Sequence, residues 1–347
     1  MRFKVIIQNL DQSQKWTIPF ISGNIVEELN RDRSANITFS FEAINSIASN
    51  SGITVEQLLT SSYKEMFIYD DDDNLIYSGF IDDYGDSIGE NSSGKVNITS
   101  RGFFTLLTKR HTDKVKIYSA TDSSDIAWDL INESQTSGEE GDDLGITRGL
   151  DPTTVNRNRT YYNETISDAI FDLSKDKIKE GFDFEVNNSK QFNVFYPQKG
   201  TQRDSIIVKE GFNMLTARIN KNGVLNMANQ IIVMGSGYGE EMISETRDAE
   251  DVYKQIYYLL QDTLPEKDII EASTLQDKGD RYLEIYKLPR RTVSVTTFFE
   301  NPNWNDFDVG DTIKVVIPSR EIDEFFRIER RSLNLVSNKC NLTFRTY

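Results

Sequence analysis

Three glycines at alternate positions close the segment from Gln230 to Glu241, QIIVMGSGYGEE, and raise the chemistry of phosphate binding. A dinucleotide-binding turn brings backbone N–H groups up to a pyrophosphate at a helix N-terminus. It needs a third Gly or Ala three residues after the second, so that helix and strand pack closely. Gly235, Gly237 and Gly239 miss that spacing, and position 240 carries a glutamate, which would repel an anion. No Gly-Lys-Ser/Thr follows, as a P-loop requires. The segment is expected to be a turn after a strand at 230–234, and no cofactor is expected.

The run Asp70-Asp71-Asp72-Asp73 offers carboxylates to calcium, but a calcium loop begun at Asp71 needs Gly sixth and Glu twelfth, where the chain has Ile76 and Asp82. A solvated hairpin turn between MFIY and LIYSGF is expected instead, from the turn preference of Asp and Asn. His111 and Cys340 are the only histidine and cysteine, so one chain can build neither a disulfide nor a His/Cys zinc cage. His111 follows Lys109 and Arg110 and reads as a linker or surface side chain. Cys340, two residues before Leu342, reads as a small buried hydrophobe of the last strand. Paired carboxylates for acid/base chemistry are recognised by geometry, not spacing. Among 55 acidic residues the sequence singles out no pair. Aromatic residues, 11% of the chain, could form a carbohydrate platform, but they alternate inside strand-like runs, the pattern of core packing. No catalytic, cofactor-binding or metal-binding residue is assigned.

The charge balance of 39 basic against 55 acidic residues, net −16, would repel a phosphate backbone unless cations were segregated into one patch. The basic clusters are short: Lys109 to His111, Arg290-Arg291 and Arg330-Arg331. Specific nucleic-acid binding is therefore not expected. No apolar run approaches the ~20 residues of a membrane span, and the N-terminus turns polar too early for a signal peptide. A soluble chain, not visibly secreted, is expected, and the lack of disulfides suits a reducing compartment.

The elements that would carry these residues fall into three segments. From 1 to 112 the period is two, in FKVIIQNL, KWTIPF, NITFSFEA, KEMFIYDDDDNLIYSGFIDDY and KVNITSRGFF, interrupted by one short helix at GITVEQLLTSS, which Thr54 and Gln57 cap reciprocally. From 113 to 204, SSDIAWDLINES and NETISDAIFDLSKDK have helical spacing. The polar stretch between them reads as an exposed loop, and FDFEVNNSKQFNVFYP reads as a hairpin. From 205 to 347 strands return in SIIVKEG, LTARINKN and NQIIVMG. A helical excursion follows at 248–286, in DAEDVYKQIYYLLQDTLP and STLQDKGDRYLEIYKLP, the second capped by Ser273, and three more strands close the chain. With 347 residues, two or three domains are expected.

The order of the last segment carries a resemblance: a strand ending in Gly235, the helix of LQDKGDRYLEIYKLPRRTVSV, the Gly310-Asp311 step of FDVGDTIKVV, then FFRIERRSLNL and a closing LTF strand. It is similar to the C-terminal part of phage baseplate hub proteins, the family of the late-control protein D class and of siphophage tail hubs. The hairpin around Gly79 and the passage KVNITSRGFFTLLTKR look like that family's front half, and the two helices look like its inserted α/β domain. Gly79, Gly310 and Asp311 are the sharpest matches. The 134–159 loop and the acidic run at 70–73 are departures. The resemblance implies an α+β, mostly β fold, with two barrel-like tube-type β domains flanking a small α/β domain. It implies a non-enzymatic part of the virion, made in the host cytoplasm: a homotrimeric ring at the tail tip. The ring would have a distal-tail or tail-tube protein above and a tip, spike or tail-fibre protein below, and DNA would pass through its lumen, which the acidic net charge would suit. Two alternatives stand beside it: a tail-associated cell-wall hydrolase using paired carboxylates, and a host-surface or distal-tail adaptor with an aromatic groove.

Overall fold

A computed structural model describes residues 3–59, 64–89, 92–112, 114–174, 181–221, 223–266, 269, 271–289 and 291–345. The period-two runs of the first segment form β1 (Phe3–Asn9), β2 (Lys15–Ile18), β3 (Phe20–Glu28), β4 (Ser34–Ser40), β5 (Lys64–Asp70), β6 (Leu75–Gly89) and β7 (Ser92–Arg101). They are ordered β2-β1-β5-β6-β7-β4-β3, each pair antiparallel. In β1 alternation sends Phe3, Val5 and Ile7 into a core shared with Phe39, Met66, Ile68 and Ile98. The acidic run turns the β5–β6 hairpin. Asp70 Oδ1 accepts from the backbone of Asp72 at 3.0 Å and of Asn74 at 2.8 Å, and Asp73 takes a positive φ of 60°.

Two helices, not one, interrupt these strands. The expected α2 (Val55–Leu59) has its capping box, with Thr54 N to Gln57 Oε1 at 2.9 Å and Gln57 N to Thr54 Oγ1 at 3.1 Å. Ahead of it α1 (Phe41–Asn50) follows β4 without a break. Its buried Ile44 and Ala48 lie one helical turn apart, but the alternation of NITFSFEA runs into it and hides the change of period.

The middle segment has its own core. The turn 103–109 leads to β8 (Lys116–Asp122), α3 (Ser123–Ser134), β9 (Thr147–Arg148), β10 (Asn156–Tyr161), α4 (Ile166–Ser174), β11 (Asp183–Val186) and β12 (Gln191–Phe195). Both helices stand where their spacing placed them; the continuation of the second through 175–177 lies outside the described residues. Asp122 caps α3 through Ser124 N at 2.9 Å. Ile126, Leu130, Ile170 and Leu173 pack on Phe104, Phe184 and Phe192, whose rings meet tilted, so these aromatics serve the core. β11 and β12 form the expected hairpin. The stretch expected as an exposed loop is partly structured: β10 pairs with β8, β9 pairs parallel with β12, and Ile146 and Arg157 are buried. Its polar, glycine-rich composition masked single apolar anchors such as Ile146, which are too few to show a period.

The last segment begins with β13 (Gln202–Lys209) and β14 (Thr216–Lys221), and later adds β18 (Arg291–Phe298), β19 (Thr312–Ile317), β20 (Ile322–Asn334) and β21 (Lys339–Arg345), in the order β13-β19-β20-β21-β18-β14 around a second core of Val208, Val295, Ile313, Phe326 and Phe344. The 13-residue β20 also pairs with β3, so 13 strands of the first and last segments share one sheet. The two cores interlock, because Phe299, Trp304, Leu333, Leu335 and Cys340 pack with the first.

Inserted between β14 and β18 is a small unit that corrects the expected helical excursion. β15 (Gln230–Met234) pairs antiparallel with β16 (Ser244–Asp248) and parallel with β17 (Gln261–Pro265), and α6 (Ala272–Tyr286) packs on them through Leu275 and Leu283. Between β16 and β17 lies α5 (Asp251–Tyr257), which buries no residue. The helical reading of YYLLQDTLP fails because Tyr258 turns to φ 64° and ends α5, and the chain then joins the edge of β15. The excursion therefore includes the strand 230–234 instead of following it. Ser273 stands inside the first turn of α6, whose N-cap is Glu271. The glycines form the β15–β16 hairpin turn, where Gly237 has φ 109° and Gly239 φ 58°.

Candidate functional site

Where the three segments meet, six buried or half-buried charges alternate in a closed cycle. Glu27 on β3 accepts from the Arg331 Nε of β20 and lies 3.4 Å from the Nε of Arg33. The Arg33 Nη2 is 3.3 Å from Glu185 on β11, and Glu185 is 2.6 Å from Lys199 Nζ. Lys199 also reaches Asp308 at 2.8 Å, and Asp308 returns to Arg331 Nη2 at 3.0 Å. Each segment supplies one acid and one base: Glu27 and Arg33, Glu185 and Lys199, Asp308 and Arg331.

Local structure explains how such a group can be buried. Arg331 lies at an inward position of β20, where a bulge between Ile328 and Arg330 resets the alternation, so that Arg331 points in and Arg330 out. Its guanidinium stacks 4.0 Å from the Trp304 ring centroid, and its Nη1 donates to the carbonyls of Trp304, at 3.0 Å, and of Phe307. Taking charges out of water is costly, and the ion pairs and carbonyl acceptors of the cycle offset that cost, although Glu27 Oε1 accepts no hydrogen bond and is held only by the 3.4 Å approach of Arg33. Burial works against charge on Asp308, but Arg331, Lys199 and Arg33 outweigh it and hold its carboxyl well below the usual range. Burial likewise opposes charge on Lys199, whose ammonium is kept protonated by Asp308 and Glu185.

A second layer braces the cycle. Asp183 accepts from Arg327, from Lys199 N at 2.7 Å and from Asn30 Nδ2 at 2.7 Å, while Arg327 donates to the Lys199 carbonyl at 2.8 Å and the Gly310 carbonyl at 3.0 Å. Asp311 accepts from Thr201 N at 2.7 Å, Asp308 N at 3.0 Å and Arg203 Nε at 3.1 Å. Gly310 holds φ 94°, and a Cβ there would stand 2.8 Å from the Lys199 carbonyl oxygen. The Gly-Asp step is thus the hinge pin between the middle and last segments. Gly79, by contrast, is needed where β6 passes the Arg101 carbonyl, because a Cβ would overlap that oxygen. Asp32, next to Arg33, accepts from Thr105 N at 2.6 Å and Thr105 Oγ1 at 2.5 Å. Burial raises its carboxyl to about 6 against those bonds.

A hollow of about 230 Å³ opens beside the cycle, lined by Glu27, Arg33, Trp304, Phe307, Asp308 and Arg331. Glu27 and Asp308 in it are paired with cations, while the exposed Asp306 also lines it. Among the described residues no group of three or more His, Cys, Asp or Glu could hold a metal ion, and no helix is long and apolar enough to cross a membrane. His111 is exposed, bridged through its backbone to Thr165. Cys340 is buried, and burial pushes its thiol up to about 12. Sequence reading noted Gly310, Asp311 and the Arg330-Arg331 pair but missed the cycle. The available signal was an arginine in the apolar phase of FRIERRSLNL.

No family model and no curated protein matches the sequence. The fold does have relatives among solved structures. A tail protein from Neisseria meningitidis MC58 superimposes with a TM-score of 0.69 at 12% identity, covering 100% of this chain and 97% of its own. The 43 kDa tail protein of prophage MuSo2 from Shewanella oneidensis gives 0.71 at 12% identity, covering 99% and 97%. Prophage tail protein gp18 from Listeria monocytogenes EGD-e gives 0.63 at 10% identity, covering 99% and 94%. This chain is similar to phage tail proteins in fold from end to end, a mostly β arrangement with inserted helices.

Proposed function

We propose that the chain is a structural hub of a phage or phage-like tail. Three copies close a ring that joins the tail tube to the tip or spike and leaves a passage for DNA. The observation that carries this reading is the end-to-end likeness in fold to tail proteins. Two further features support it. The first and last segments are bonded into one sheet and locked by the charge cycle, as suits a part that must keep its shape under load. The net charge of −16 disfavours adhesion of a phosphate backbone that slides past. The role is non-enzymatic, and the virion is its place.

The test is the mass of the purified chain, with and without the tail proteins that adjoin it, together with a low-resolution image. A threefold ring with a central hole is expected; a chain that stays monomeric under both conditions overturns the reading. Release of peptidoglycan fragments by the chain, abolished by single carboxylate substitutions, would establish the hydrolase in its place.

A further inference from the structure

In the small inserted unit, Asp248 at the end of β16 and Gln261 at the start of β17 both lie opposite Gln230 of β15, so they stand about 10 Å apart. About three or four extended residues would bridge that gap. The chain instead runs through residues 249–260 and α5. One buried side chain clips this excursion at its neck. The Asn229 carbonyl accepts from Ala249 N at 2.9 Å where the excursion begins. Where it ends, Asn229 Nδ2 donates to the Tyr258 carbonyl at 2.6 Å and Asn229 Oδ1 accepts from Leu260 N at 2.9 Å.

Held in this way, Tyr258 takes φ 64° and ψ −178°, a combination nearly confined to glycine, and its side chain is 85% exposed. Val252, Ile256 and Leu259 are 49–60% exposed, and none of the four belongs to the core of the unit. Strain of this kind persists only where surrounding bonds impose it, and it gathers at sites that clamp other molecules. Here it holds apolar side chains out in water. Val252 and Ile256 have the i, i+4 spacing with which a helix anchors in an apolar groove.

The surrounding charge selects the partner. Residues 230–287 hold 13 acidic against 6 basic residues, −7 of the chain's −16. Arg247, Lys254 and Lys287 are each paired with an acid of the same unit, Asp280, Asp248 and Glu250. Asp251, next to Val252, has no ion-pair partner among the described residues. Two such units repel each other, which disfavours their meeting face to face. We propose that the 250–260 excursion is a docking element: it inserts Tyr258 and the Val252–Ile256 face into an apolar groove, rimmed by Lys and Arg, on an adjoining tail protein. The contact rests on the tail reading above and gives the chemistry of one neighbour.

The experiment titrates the full chain with each adjoining tail protein, purified singly, by calorimetry. Wild type is expected to bind one of them, and less tightly as salt is raised. The replaced side chains are exposed, so Val252→Gln with Ile256→Gln, and Tyr258→Gly, should fold as wild type by circular dichroism. Each variant is expected to weaken binding at least about tenfold. Tyr258→Gly adds a second readout: glycine relieves the backbone, so Tm should hold or rise while binding falls. Variants that bind as tightly as wild type, a Tm that drops with Tyr258→Gly, or binding that strengthens with salt overturns the docking assignment. Loss of the ring itself in these variants overturns it too, by giving the face to a second copy. In all these cases the hub reading stands. A wild-type chain that binds none of the tail proteins overturns the docking element and, if it also stays monomeric, the hub reading with it.

Discussion

The guanidinium of Arg331 lies 4.0 Å from the centroid of the Trp304 ring and donates to the backbone carbonyl of that same residue at 3.0 Å. One side chain therefore fixes the orientation of a buried indole and the path of its backbone while it also closes the charge cycle through Glu27 and Asp308. Replacing Arg331 by methionine leaves the buried Glu27 and the half-buried Asp308 each short of a cation. A loss of about 3–5 kcal/mol is expected, the scale of breaking a buried pair, measured by urea unfolding. Lysine at this position keeps the charge but not the fork or the stacking, and should recover only part of that loss.

Removing two cations has a different consequence from removing one. Arg33 and Lys199 are the two partners of Glu185. Arg33→Met or Lys199→Met alone leaves that carboxylate one cation, whereas the double variant leaves it buried and unpaired. The double variant is expected to lose more than the sum of the single losses, with a coupling of about 0.5–3 kcal/mol in a double-mutant cycle. Strictly additive losses would show that the cycle does not act as a unit.

Gly310→Ala forces a Cβ into the left-handed region and against the Lys199 carbonyl. A cost of about 1–3 kcal/mol is expected, visible as a lowered Tm. Gly138→Ala serves as the control. It shares the positive φ, at 87°, but has no atom within 4 Å of the added Cβ, so the difference between the two variants isolates the close approach at the junction.

Acidification should act in two opposed steps. The folded-state value for Asp32, about 6, lies above its ordinary 3.8. Between pH 6 and about 4 the folded chain thus holds a proton that the unfolded chain lacks, and the Asp32 contribution strengthens as pH falls through that window. Asp308 is depressed, so its contribution is present above the ordinary aspartate value of 3.8 and is lost as pH drops below it. Chemical denaturation at pH 7, 5 and 3 should show wild type gaining stability relative to Asp32→Asn from pH 7 to 5, and both falling at pH 3.

Cys340 should resist thiol reagents in the native protein at pH 8 and react fully in guanidinium, because its thiol is buried and pushed up to about 12. Native labelling at the unfolded rate would mean that β21 opens freely.

Much of this architecture was legible as period. Alternation in FKVIIQN and TIKVVI identified β1 and β19, and the spacing of Ile126, Leu130 and Ile131 identified α3, because one buried face leaves a regular trace in the sequence. Where a period changed without punctuation the reading failed, as at the junction of β4 and α1. It failed again at Tyr258, where a single positive φ in a tyrosine ended a helix that composition favoured. The charge cycle left still less trace. Glu27 and Arg331 are 304 positions apart, and each looks like any other charged residue until the fold removes its water. Only the Gly-Asp step stood out, because a glycine forced by φ and a carboxylate forced by backbone donors constrain residue type locally.

Because the six charges form a loop and not a line, the arrangement tolerates a single fault. Delete any one member and the remaining five still run unbroken through all three segments, since the first stays tied to the second through Arg33 and Glu185, or to the third through Glu27 and Arg331, and the second to the third through Lys199 and Asp308. A linear string of the same charges would come apart at the first break. The circuit therefore gives the ionic junction redundancy: one mutated ion loosens it, and two are needed to break its continuity, while the β3–β20 pairing and the Asp183 bonds still join the segments.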